Sequence, residues 1–210
     1  EAHLKLNKLK VKIGYPEKWD DYSDVEITKD NYVQNRWNAN TFANKENFGK
    51  LGQPIDLDEW FMAASVVNAY YNPPANEIVF PAGILQPPFY NYKADEAVNY
   101  GGIGAVIGHE ITHGFDDQGR KYNHMGELKD WWTPEDAAEF DRRAQVMVDQ
   151  YNAFTVQDTL NVNGQLTLGE NIADLGGMLI AYDALQMYYE KNGRPDKIDG
   201  MTPEQRFFMS

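Results

Sequence analysis

The stretch from residue 95 to residue 115 sets the tightest limit on the fold. It is apolar and small: Ala97, Val98, Ile103, Ala105, Val106, Ile107, Ile111 and Phe115, with Gly101, Gly102, Gly104 and Gly108 between them. So many glycines cost a helix too much propensity for it to stand alone. Such a helix forms where neighbours pack closely upon it. Within it lie His109, Glu110 and His113. Residues four apart share a helix face, so both imidazoles can reach one cation. Glu110 projects about 100° away from His109 and can approach the cation's open position without binding it.

The chain has no cysteine, which excludes disulfides, thiolate ligands and thiol nucleophiles. A metal site must then use imidazole and carboxylate, the donor set of a catalytic zinc ion that keeps one position for water. Zinc lowers the pKa of such a water to about 7, so Glu110 suffices as the general base.

A third ligand is needed, and Glu170 is the best candidate, in Glu170-Asn171-Ile172-Ala173-Asp174. Its carboxylate and that of Asp174 stand four apart in the first turns of an otherwise apolar helix, where like charges repel. A cation on one and a histidine N–H on the other would resolve the conflict. Thr167-Leu168-Gly169-Glu170 also fits a capping box, in which Glu170 merely closes the helix start. Asp116 likewise has two readings: it orients His113 through the second ring nitrogen, or it turns the chain at a helix end. Spacing alone leaves both open. His124, in Asn123-His124-Met125-Gly126, reads as a surface residue in a turn, and His3 has no partner pattern.

Other segments read as ordinary punctuation. A short helix is expected within Ala2 to Val11, a helix around Asn31 to Phe42, and a short element near Asp56 to Met62. Asn76 to Phe80 is a strand that Pro81 ends, which suits a sheet edge open to an extended peptide. Thr133-Pro134 starts a helix running to about Tyr151, and another spans Leu168 to Lys191. Thr202-Pro203-Glu204-Gln205 starts a last one with a capping box. That helix is cut short at Ser210 and the chain opens at Glu1, so residues 1–210 are expected to form a single domain that is a piece of a longer protein.

Composition removes several functions. The net charge of −13 argues against a nucleic-acid partner, which needs clustered Lys and Arg. No apolar run is long enough for a membrane segment. The 42% apolar and 24% charged content is ordinary for a folded domain.

Six segments resemble the neprilysin family of zinc endopeptidases. They are Val67-Asn68-Ala69-Tyr70-Tyr71-Asn72-Pro73, His109-Glu110-Ile111-Thr112-His113-Gly114-Phe115-Asp116-Asp117, Gly169-Glu170-Asn171-Ile172-Ala173-Asp174, Ile13-Gly14-Tyr15-Pro16, Phe80-Pro81-Ala82-Gly83-Ile84-Leu85 and Asp130-Trp131-Trp132-Thr133. The resemblance implies an α+β, mainly helical fold: part of a thermolysin-like zincin catalytic domain, with an active-site helix packed on a small sheet. It implies one zinc held by His109, His113 and Glu170, with Glu110 as general base. Asp174 would orient His109 and Asp116 would orient His113. Asn68 and the backbone of Ala69 would hydrogen-bond the main chain of a peptide substrate. Family members cut short peptides on the amino side of hydrophobic residues.

The chain also departs from the family. Members carry a further His that stabilises the tetrahedral intermediate and an Arg that contacts substrate, both downstream of the Glu ligand. No His follows His124, and Arg206 comes too early to be that Arg. The helical domain that roofs the cleft is absent, as are the cysteines of eukaryotic members. The expectation is the N-terminal portion of a bacterial catalytic domain, extracytoplasmic, of low or no activity without its remainder. Two other functions fit the motifs: a non-catalytic peptide- or receptor-binding module on the same fold, and an aminopeptidase on the same ligands.

Overall fold

A computed structural model describes all 210 residues, Glu1–Ser210. Where the sequence reads as one domain, the chain divides into two compact units: residues 16–61, and residues 1–15 with 62–210.

The smaller unit is built around α2 (Tyr32–Gly49), which Asn31 caps by accepting from the Gln34 N–H at 3.0 Å. No residue of α2 is buried. Polar clamps hold the unit instead: Asn35 exchanges hydrogen bonds with both the N–H and the C=O of Thr28, and Tyr22 packs on Phe42 with ring centroids 5.9 Å apart.

The larger unit opens with α1 (Ala2–Asn7) and β1 (Lys10–Gly14). The helix expected over Ala2 to Val11 thus ends early, and its last residues enter a sheet. That sheet also contains β2 (Tyr70–Asn72) and β3 (Glu77–Pro81), in the order β1-β3-β2. β1 runs parallel to β3, Lys10 opposite Glu77 through Gly14 opposite Pro81; β2 runs antiparallel, Tyr70 opposite Val79. The edge placement of Asn76 to Phe80 is therefore corrected: β3 is central. All five of its residues are buried, as the unbroken run Ile78-Val79-Phe80 befits, and Pro81 stands at the last position of the ladder. The edges belong to β1 and β2.

From Glu96 the backbone stays helical to His113: α3 (Glu96–Asn99), a π-helical turn over Tyr100–Gly104, then α4 (Ala105–His113). Glycines 101, 102 and 104 gather in the π turn, the widening that occurs at functional sites more than elsewhere. α5 (Pro134–Asn152) starts at Thr133 as expected, its hydroxyl accepting from the Asp136 N–H. A two-stranded ribbon follows, β4 (Thr155–Gln157) with β5 (Leu160–Asn161). Then come α6 (Leu168–Asn192) and α7 (Pro203–Phe208), the latter with the capping box between Thr202 and Gln205. No helix is long and apolar enough to cross a membrane.

Three apolar clusters fix these pieces. Ala69, Ile78, Phe80 and Ile84 pack with Ile103, Val106 and Ile111, seating α4 on the sheet. Ala97, Ala181, Leu185, Tyr189 and Phe207 join α3, α6 and α7. Ala144, Val148 and Leu168 anchor α5 at the start of α6. α4 is held from two sides, which answers its poor intrinsic propensity.

Candidate metal centre

Gly108 and Gly177 set the distance between α4 and α6. A Cβ built on Gly177 would stand 2.5 Å from the His109 N and 2.7 Å from the Ala105 O. One built on Gly108 would stand 2.6 Å from the Gly177 O. The two backbones touch, and their side chains meet across a short gap.

In that gap Glu170 Oε2 lies 3.3 Å from His109 Nε2 and 3.6 Å from His113 Nε2. The three donor atoms lie within 4.8 Å of one another. Ligands about 2.0–2.1 Å from a tetrahedral zinc are spaced roughly 3.3 Å apart, so the set fits the ion. The outer ring nitrogens are engaged elsewhere: His109 Nδ1 meets Asp174 Oδ1 at 2.8 Å, and His113 Nδ1 meets Asp116 Oδ2 at 2.7 Å. Each Nε2 is thereby left facing Glu170. The capping-box alternative for Glu170 fails, because the Thr167 side chain makes no cap bond. Both alternatives for Asp116 hold at once. Its Oδ2 takes His113, while its Oδ1 accepts the N–H groups of Gln118 (2.9 Å) and Gly119 (2.6 Å) and turns the chain.

Glu110 is 5% exposed beside the ligand set. Burial pushes its carboxyl above the ordinary carboxylate range; His113 and His109 pull the other way, Glu170 adds to the rise, and a hydrogen bond from the Tyr71 backbone N–H opposes it. For His113, burial works to lower the imidazole. The hydrogen bond and charge of Asp116, with Glu110 and Glu170, outweigh it and hold the group above its usual value. A cation in this gap would displace that proton.

These residues line a cleft of about 920 Å³. One wall is Asn68, Ala69, Tyr70 and Tyr71; another is Asn163, Gln165 and Leu166, just ahead of α6. Asn68 is exposed and Ala69 buried, with the Ala69 N–H donating to Asn68 Oδ1 at 2.9 Å. The sequence pointed to neither the Tyr71 N–H nor the Asn163–Leu166 wall. The place of that wall directly before Glu170 was the available signal. Two other residues are disposed of. Arg206 is buried against Asp95 and donates to the Met201 O, away from the cleft lining. His124 pairs with Glu1 at 2.5 Å.

Residues 68–210 match the model of Peptidase family M13. The chain belongs to that family. Among curated M13 relatives, an endothelin-converting enzyme homolog of Locusta migratoria is 44% identical over the whole chain, and neprilysin of Homo sapiens is 43% identical over the whole chain. The chain spans about 30% of the length of each. Among solved structures, the zinc metalloprotease Zmp1 of Mycobacterium tuberculosis in complex with an inhibitor superposes with a TM-score of 0.94 at 52% identity, covering 99% of this chain and 32% of that one. PepO of Lactobacillus rhamnosis superposes at 0.80 with 37% identity, over 98% of this chain and 32% of its own. The M13 neighbours bear out the α+β, mainly helical zincin fold, and the family is one of metallopeptidases. Membership implies zinc, and His109, His113 and Glu170 form a group that could hold a metal ion.

Proposed function

We propose that this chain supplies the metal-binding part of a zinc endopeptidase active site, acting in the protein that carries it on short peptides, on the amino side of hydrophobic residues. The observation that carries this is the convergence of His109 Nε2, His113 Nε2 and Glu170 Oε2, with buried Glu110 alongside. Zinc, when bound, supplies Lewis acidity for attack of water on a peptide carbonyl. Glu110 takes the proton from that water and delivers it to the leaving nitrogen, tasks for which a carboxyl raised by burial is suited. Tyr71 lines the cleft beside Glu110, and its backbone bears on the carboxyl. Asp174 and Asp116 fix the two imidazoles by their Nδ1 atoms and make them more basic ligands. β2 is an edge strand, and an extended peptide would lie alongside its start, pairing with the Ala69 main chain and the Asn68 carboxamide by strand addition. An extracytoplasmic location goes with this reading, as with other peptidases that meet peptides outside the cell.

The test separates binding from chemistry. His109→Ala is expected to abolish zinc uptake. Glu110→Gln, made in the full-length protein that carries this chain, is expected to keep zinc and lose hydrolysis by about a thousandfold or more. Internal cleavage of a peptide blocked at its N-terminus would distinguish the endopeptidase from an aminopeptidase. Undiminished zinc uptake by His109→Ala would sink the ligand assignment.

A further inference from the structure

Lys5 is 1% exposed, an unusual place for an ammonium. Its Nζ donates to the Gly119 O and the Tyr122 O, each at 2.7 Å, more than a hundred residues along the chain. The rings of Tyr71 and Phe115 flank it, centroids 5.7 and 5.6 Å away. The two carbonyls belong to the turn over Gly119–Lys121 and the residue after it. The same Gly119 gives its N–H to Asp116 Oδ1, and Asp116 Oδ2 takes His113.

The other end of Lys5 reaches the opposite side of the site. Its backbone carbonyl accepts from Asn76 Nδ2 at 2.9 Å, and Asn76 Oδ1 accepts the Tyr71 hydroxyl at 3.0 Å. Asn76 turns between β2 and β3 with φ +47°, in the left-handed region that asparagine tolerates better than most residues. Tyr71, in turn, lines the cleft beside Glu110, its backbone bearing on that carboxyl. One lysine thus spans two supports that the chemistry needs aligned: the turn behind His113 and the strand behind Glu110.

We propose that Lys5 is a positioning residue of the metal centre, its ammonium fixing the Gly119–Tyr122 turn that presents Asp116 to His113 and its carbonyl tying that turn to β2 through Asn76 and Tyr71. The inference rests on the zinc reading given above. It separates Lys5 from an ordinary buried anchor, because an anchor would change stability without acting through Asp116. A buried ammonium with two charge-assisted bonds to carbonyls also fixes direction, which an apolar side chain of the same length would not.

The experiment measures zinc affinity by competition with a chromogenic chelator. The proteins are the wild type, Lys5→Met, Asp116→Ala and the double variant. Lys5→Met keeps the stem and removes the donors. It is expected to weaken zinc binding about tenfold, the lower end of what losing an outer-shell partner of a metal ligand costs. The double variant is expected to bind no more weakly than Asp116→Ala alone, since Lys5 acts through Asp116. Unchanged affinity in folded Lys5→Met, or strictly additive losses in the double variant, would overturn the proposal. Should Lys5→Met not fold, acylation of lysine amines in the wild type, read by mass spectrometry with and without zinc, replaces it. Coupling is reciprocal, so zinc should slow labelling of Lys5 severalfold and leave exposed lysines unchanged; equal Lys5 labelling in both conditions overturns the proposal. A wild type that takes up no zinc at all defeats the metal reading instead, a different and recognisable failure.

Discussion

The two halves of the metal centre are built differently. His113 is oriented by Asp116, three residues along the same segment, and that carboxylate is buried, with two backbone N–H groups on its other oxygen. His109 is oriented by Asp174, which comes from another helix, 65 residues away. The Asp174 side chain is 74% exposed, and the Glu170 side chain next to it 69% exposed. The first half is made by local chain geometry and buried bonds. The second exists only if α4 and α6 meet at the correct depth. A local device survives small errors in packing; a device split between helices inherits every one of them.

The largest expected effect therefore lies at the helix contact, not at a ligand's neighbour. Gly177→Leu places a branched side chain where a single Cβ already stands 2.5 Å from the His109 N. The helices must separate, which overpacked contacts do at a cost of roughly 1–3 kcal/mol, and Glu170 leaves the gap with α6. Zinc affinity should fall by about a hundredfold or more, while Asp116 stays on His113. Chelator competition reads the first outcome, and a retained hydrogen bond between His113 Nδ1 and Asp116, seen as a scalar-coupled or exchange-protected Nδ1 proton in NMR spectra of the zinc-free protein, reads the second. A Gly177→Leu protein that binds zinc normally would show that the helix contact does not set the site.

The second comparison is direct. Asp116→Ala removes a buried carboxylate with three partners and should weaken zinc binding by about tenfold to a hundredfold. Asp174→Ala removes a mostly exposed partner, for which water can substitute, and should cost less than about tenfold. Titration of the two variants side by side decides this. A reversed order would mean that the long-range half is the stiffer one.

The same contrast explains what the sequence made legible. The paired histidines, Asp116 and the caps at Thr133 and Thr202 are local patterns, and each stands where its residues predict. Glu170 and Asp174 carry a sequence signal as well, an electrostatic conflict at i and i+4 that a cation on one and a histidine on the other would relieve. The edge of the sheet was misplaced because Pro81 looks the same at the end of a central strand as at an edge. Only the pairing of β1 with β3 reveals the difference, and by spacing Lys10 and Val11 of β1 read as the end of a helix. The π turn, the Gly108–Gly177 contact and the reach of Lys5 to Gly119 were not legible. They depend on which distant backbones approach, and no spacing along one chain encodes that.

Lys5 belongs to the local half by position and to the long-range half by sequence, which makes it a sharper probe. Burial lowers its pKa from 10.5 to about 8, while Asp116 and Glu1 pull it upward. The unfolded chain holds that proton up to about pH 10.5, so between about 8 and 10.5 the unfolded state carries more protons and stability rises with pH. Below about 8 both states are protonated, the cost of burying the charge is fully present, and this group adds no slope. Compared with Lys5→Met, the wild type should gain on the order of 1 kcal/mol in urea unfolding from pH 8 to pH 10. Parallel curves for the two proteins would place the ammonium in water.

The smallest effect tests whether exposure itself distinguishes the halves. Charges separated by solvent are screened by salt, and buried contacts are screened much less. The exposed Asp174 carboxylate should therefore lose part of its influence on zinc binding as salt rises, while Asp116, 5% exposed, should keep its own. From about 0.05 M to about 0.5 M sodium chloride, the affinity gap between wild type and Asp174→Ala should shrink by about half. The gap between wild type and Asp116→Ala should stay constant within error over the same range. Equal salt dependence in the two gaps would mean that the Asp174 contact is shielded from solvent when the ion is bound. The two halves would then differ in how far apart their partners lie in sequence, and not in how wet they are.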